Sequence, residues 1–214
     1  MSLKQMTVNG VEIAYLDRGN GPPVIIAHCS SASHREWLPL IEALEPDWRV
    51  LAPDFIGYGQ SGAWPEGKVF TGQADLAVLT AVSNGNDRDA ASAFMRYWLG
   101  RLRWWLSPEK FKAAITATIH KVALEFMILI EAGARLSDYA SVTAPTLLIV
   151  GGKTRAPARA VVNMLSQVLP NATTTVLKGA GHMSPFTHPS EVNRLVAGHL
   201  AAQRQQEPAP LPEA

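Results

Sequence analysis

Hydrophobic positions follow two rhythms along this chain: short continuous runs bounded by Gly or Pro, and longer stretches where they recur every three or four residues. Residues 4–8 and 11–16 flank Asn9-Gly10, a pair that accepts positive φ at both turn positions, so they predict a β-hairpin. Gly19, Gly21, Pro22 and Pro23 then punctuate the chain before the apolar run Val24–Ala27, which reads as a buried strand. Ser33 and Glu36 have capping-box spacing, and Trp37, Leu38, Ile41 and Leu44 follow on one helical face. Val50–Ala52 is a further short strand, stopped by Pro53. The same alternation returns late in the chain. Thr146–Val150 and Thr174–Leu177 read as strands, with a helix between them from Pro157 to about residue 169 and another after Pro189. Buried strands alternating with helices predict an α/β fold: a mostly parallel sheet with helices on both faces.

Residues 87–132 break the rhythm, with almost no strand signal and several helix signals. Ser107-Pro108-Glu109 offers a capping hydroxyl, a proline tolerated at a helix start and an acid, and Gly133 offers a stop. Ile115, Ile119, Val122, Phe126 and Leu129 share one face between them. Phe126–Ile130 is apolar all round, which calls for a partner, either the sheet or a second subunit. The segment therefore reads as a helical cap or insert. Its Trp98, Trp104 and Trp105 have helical spacing that suits a core layer or, alternatively, the lining of a ligand site.

Length and composition narrow the classes. The 214 residues can bury one substantial core, and residues 1–206 are expected to form a single domain, with the Pro-rich 207–214 a disordered tail. A net charge of +1 and the absence of a dense Lys/Arg run argue against nucleic acid or an anionic membrane as partner. No apolar run approaches the ~20 residues of a membrane span, and the first residues lack the apolar core of a signal peptide. The single cysteine, Cys29, rules out an internal disulfide and fits a cytoplasmic setting. The six histidines are scattered without metal-ligand spacing, so no metal is expected; no cofactor is expected either.

Three motifs remain. Gly179-Ala180-Gly181-His182-Met183 puts a histidine on a glycine-flanked loop between a strand and a proline-started helix. Near the other end stand His28-Cys29-Ser30-Ser31, after a strand, and Pro53-Asp54-Phe55-Ile56-Gly57-Tyr58-Gly59-Gln60-Ser61. Together these resemble the α/β-hydrolase family over two blocks, about residues 6–72 and 142–200. The resemblance implies a shortened α/β-hydrolase-like fold and an esterase-like enzyme working by serine/histidine acyl transfer on small esters. It assigns His182 as the base, and backbone N–H groups near Cys29 and Ser30 as holders of the oxyanion. The Asp54 and Gly57–Ser61 turns are structural in the family. His188 reads as a cap or surface residue, and Cys29, in place of the family's glycine, as a buried structural thiol rather than a nucleophile.

The family presents its serine on a Gly-x-Ser-x-Gly turn, and this sequence has none. Ala81-Val82-Ser83-Asn84-Gly85 comes nearest, which makes Ser83 the candidate nucleophile. In a competing alignment Phe70–Leu76 starts the helix before the nucleophile strand and Asp87–Trp98 starts the cap, so that the elbow is missing altogether. The family's usual acid site reads Gly151-Gly152-Lys153-Thr154-Arg155, without an acid, leaving Asp54 and Glu131 as distant substitutes. A catalytically impaired scaffold with a binding or assembly role is therefore the rival to the esterase. Loss of central strands would expose sheet edges, so a homodimer, with or without exchanged strands, is expected.

Overall fold

The computed structural model describes residues 3–8, 11–55, 57–63, 87–131 and 135–205. The Asn9-Gly10 turn, Phe70–Leu76, Ser83, Gly133 and the tail 207–214 lie outside the described residues, as do the side chains of 126–131. The chain divides into two compact units, residues 1–133 and 134–214.

In the first unit, β1 (Lys4–Val8) and β2 (Val11–Arg18) form the expected antiparallel hairpin, in register from Lys4↔Tyr15 to Val8↔Val11. β4 (Arg49–Pro53) lies between β2, to which it is antiparallel, and β3 (Pro23–Ile25), to which it is parallel, giving the order β1-β2-β4-β3. The β3-to-β4 connection carries a 3-10 turn (His34–Trp37) and α1 (Leu38–Leu44). Leu40, Ile41 and Leu44 of α1 are buried, as are Ala14, Leu16, Val50 and Ala52 of β2 and β4. Across the solvated edge, Arg49 and Lys4 both bind the Asp17 carboxylate, tying three strands together. The Arg49 hydrogen bonds, then that of Lys4, hold this carboxyl well below the usual carboxylate range.

The capping box at Ser33 does not form. The Ser33 hydroxyl accepts from the Arg35 amide, while the Glu36 carboxylate accepts from the Cys29 amide at 2.8 Å. The loop after β3 folds back over this turn, and its amide takes the acid that would otherwise close the cap.

The insert is helical as expected: α2 (Asp87–Leu99), α3 (Arg101–Leu106) and α4 (Glu109–Glu131). Ile115, Ile119, Val122 and Ala123 of α4 pack with Ala90, Ala91, Met95 and Trp104 in one buried cluster. The chain turns from α2 into α3 at Gly100, whose φ of 86° and ψ of 157° belong to a region that only glycine occupies without strain. Ser107 does not cap α4; its hydroxyl donates to the Arg103 carbonyl, and the Pro108 carbonyl receives the Phe111 and Lys112 amides. The hydroxyl closes the C-terminus of α3 because a free carbonyl lies four residues behind it.

In the second unit, β5 (Thr146–Gly151) and β6 (Ala172–Leu177) are parallel, in register from Thr146↔Ala172 to Gly151↔Leu177. α5 (Ala156–Val168) joins them, with Pro157 in its first turn where a missing N–H costs nothing. After β6 come the short α6 (Ser184–Thr187) and α7 (Pro189–Arg204). The fold is α/β, with helices flanking parallel strand pairs in both units.

Candidate functional site

Each unit carries part of the predicted chemistry. In the first, His28 is buried at the end of the β3 run: its Nε2 accepts from the Phe55 amide at 2.9 Å, which leaves Nδ1 to donate to the Cys29 carbonyl at 2.8 Å. This ring is a brace between two loops, and both its nitrogens are used. Asp54 is fully buried beside it and accepts from the His34 amide, His34 Nδ1 and the Gln60 amide at 2.7, 2.9 and 2.9 Å. Those bonds commit the carboxylate to closing its own turn, in keeping with the structural role expected of it.

Cys29 departs from expectation, for the residue is exposed rather than buried. Its Sγ nevertheless sits close to the loop backbone, 3.5 Å from the Ser30 carbonyl, and local desolvation followed by the nearby Glu36 charge pushes the thiol up to about 12. A thiol held protonated at neutral pH is not a nucleophile. Because the Cys29 amide is already bonded to Glu36, it is also not a free oxyanion donor in this conformation.

Reading the residues alone missed the polar cluster over this loop. Glu125 of α4 accepts from the Ser30 hydroxyl and, at 2.9 Å, from the Tyr58 hydroxyl, while Lys121 pairs with its other oxygen at 2.7 Å and lies over the Tyr58 ring at 4.7 Å. Thr118, one turn earlier, donates to the Ser31 hydroxyl at 3.1 Å, where Ser31 holds a φ of 62°. Burial and then the Glu125 charge raise the Tyr58 phenol above its ordinary value, so it remains a hydrogen-bond donor. Thr118, Lys121 and Glu125 recur at three and four residues, and that polar stripe beside the apolar one was the available signal.

In the second unit, His182 follows β6 on the expected loop. The Gly152 amide donates to the Leu177 carbonyl and the Lys153 amide to the Ala180 carbonyl, so the turn after β5 is laced to the chain leading into His182. A Cβ at Gly151 would meet the Gly181 and Ala180 carbonyl oxygens at 2.4 and 2.6 Å; glycine is what lets the two loops approach. His182 is solvent-exposed as a residue, yet partial desolvation of its ring lowers the imidazole below its ordinary value, favouring the neutral base. Thr154 stands buried in the acid-free turn, its hydroxyl without a partner among the described residues. His188 begins α7 and bonds through Nδ1 to Thr187 Oγ1 at 2.8 Å. Among the described residues no group of three His, Cys, Asp or Glu side chains could hold a metal ion, and no helix is long and apolar enough to cross a membrane.

Helices flanking parallel strand pairs, with a histidine loop after β6, are features of the α/β-hydrolase fold, and the likeness to solved structures shows that fold for this chain. Residues 22–79 match the family model described as the α/β hydrolase fold. An epoxide hydrolase of Caballeronia sordidicola is 27% identical over 53% of this chain and 36% of its own length. The bifunctional epoxide hydrolase 2 of Sus scrofa is 31% identical over 49% of this chain and 20% of its own length. The chain thus matches about a third or less of these curated relatives. The solved enol-lactonase from Burkholderia xenovorans LB400 superposes with a TM-score of 0.74 over 92% of this chain and 100% of its own, at 17% identity.

Proposed function

We propose that this chain hydrolyses small esters, with Ser83 as nucleophile and His182 as the base that takes its proton. The observation that carries the reading is the His182 loop: it is laced to the end of a parallel strand, and its ring is biased toward the neutral form that base catalysis needs. The Ser30 side of the 28–31 loop supplies the oxyanion donor, since the Cys29 amide is engaged. The similarity to epoxide hydrolases supports hydrolysis in general and leaves the ester preference as our own inference. We further infer a cytoplasmic homodimer that acts without a cofactor.

The test is turnover of p-nitrophenyl acetate by the wild type, His182→Ala and Ser83→Ala, combined with fluorophosphonate labelling. Loss of turnover in both variants and loss of labelling in Ser83→Ala are expected. Turnover that survives His182→Ala unchanged rejects the scheme. The acid-free turn Gly151–Arg155 favours a second reading, an impaired hydrolase scaffold that binds without turning over. A wild type that no fluorophosphonate labels would establish that reading instead.

A further inference from the structure

The helical insert holds a cleft of about 590 Å³ between α2, α3 and α4, a size typical of small-molecule sites. Leu102, Trp104 and Trp105 make its apolar wall. Trp104 is fixed: its indole N–H donates to the Ser92 hydroxyl at 3.0 Å, and the Lys112 ammonium lies 6.0 Å from its ring centre. Trp105 and Leu102, in contrast, are 73% and 68% exposed, which leaves a flat aromatic face and an aliphatic neighbour uncovered. Around this wall stand Arg88, Arg96, Arg101 and Lys112, against Asp89 alone among the lining acids.

The charges are not all paired among the described residues. Glu109 pairs with Arg88 at 3.2 Å and with Lys112 at 2.9 Å. Arg96 and Arg101 have no ion-pair partner among the described residues. A chain of net charge +1 thus concentrates uncompensated guanidinium groups beside exposed apolar surface at one cleft. Guanidinium pairs favour planar oxyanions, and an open tryptophan face favours a flat apolar body.

We propose that this cleft binds a small organic anion, an aryl carboxylate, with its ring against Trp105 and Leu102 and its carboxylate held by Arg96 and Arg101. The site lies wholly within the insert and does not depend on the Ser83/His182 reading.

Isothermal titration of the full chain with 2-naphthoate and with neutral 2-naphthamide tests the assignment. Naphthoate is expected to bind the wild type more tightly than naphthamide, and to weaken as salt is added. The double variant Arg96→Gln/Arg101→Gln should weaken naphthoate about fivefold to tenfold, in the range expected for charge-assisted bonds in an open site, and leave naphthamide unchanged. Trp105→Ala should weaken both. Equal affinity for the two probes, no naphthoate binding by the wild type, or no effect of the double variant overturns the proposal. Co-sedimentation with phosphatidylserine vesicles without naphthoate binding overturns it too, assigning the face to an anionic bilayer. Both arginines are exposed, so an unchanged thermal midpoint is expected to confirm that the double variant folds. Its p-nitrophenyl acetate turnover should match the wild type, so failure here is distinct from failure of the ester reading.

Discussion

At the residue scale, the lowered imidazole of His182 has a defined pH consequence. A base that protonates below the ordinary histidine value of about 6.5 keeps its neutral form into mildly acid solution. The acid limb of the kcat/KM profile for p-nitrophenyl acetate is therefore expected below that value; a limb above it contradicts the assignment of His182 as base. The sign for stability follows from the same shift. The unfolded chain takes up the proton more readily than the folded one, so this group's contribution is complete above about pH 6.5 and is lost as pH falls through the folded-state value. Asp17 acts in the same direction at lower pH, because its depressed carboxyl supports the fold above about pH 3.9 and ceases to as acid protonates it. Asp54 makes the sharper mutational prediction. Its side chain is fully buried and satisfies several donors, so Asp54→Ala should cost about 2–4 kcal/mol, read as a lower urea midpoint.

At the element scale, α4 works through two faces. Ile115, Ile119 and Val122 bury one against α2, while Thr118, Lys121 and Glu125 hold the 28–31 loop and Tyr58 with the other. Glu125→Ala should cost only about 1 kcal/mol, because the cluster is partly solvated, but amide hydrogen exchange in residues 28–31 should rise selectively. Ile119→Ala on the apolar face should cost about 2–4 kcal/mol and leave that exchange pattern unchanged. The apolar face was legible from residue spacing alone, as were β1 to β4, the β5–β6 alternation and the His182 loop. The polar face was not, because a Glu or Lys at helical spacing reads as a solvated surface until its long-range partners are known. Local competition hid other features: Glu36 left the expected cap for the Cys29 amide, and the Ser107 hydroxyl turned back to Arg103. The exposure of Cys29 likewise depends on how its loop folds over the 3-10 turn. Gly151 links element to the activity we propose. In Gly151→Ala the added methyl must push the 180–181 backbone away, so kcat should fall by up to about a hundredfold through displacement of His182.

At the scale of the whole molecule, the strands among the described residues are less well covered within their own units than parallel strands of an α/β fold demand. Ile25 on the terminal strand of its sheet is 73% exposed, Val176 on β6 is 56% exposed, and the β5 side chains Thr146–Val150 are only half-buried. Apolar strands in that condition invite pairing with another copy, which is the physical basis for the homodimer we propose. Multi-angle light scattering is expected to give twice the 23.1 kDa chain mass; a monomer mass across the micromolar range counts against it. Whole-chain averages also concealed the cationic cleft, since acids elsewhere cancel its charge in the +1 total.

The joint at Gly100 gives the insert an unusual dependence on handedness. A methyl built there touches nothing within 4 Å, so the obstacle to any L side chain is the torsion itself rather than the space around it. An alanine of natural configuration should swing α3 away and part the indole of Trp104 from Ser92. A D-alanine introduced by chemical ligation has the mirror-image preference and should hold the corner more firmly than glycine does.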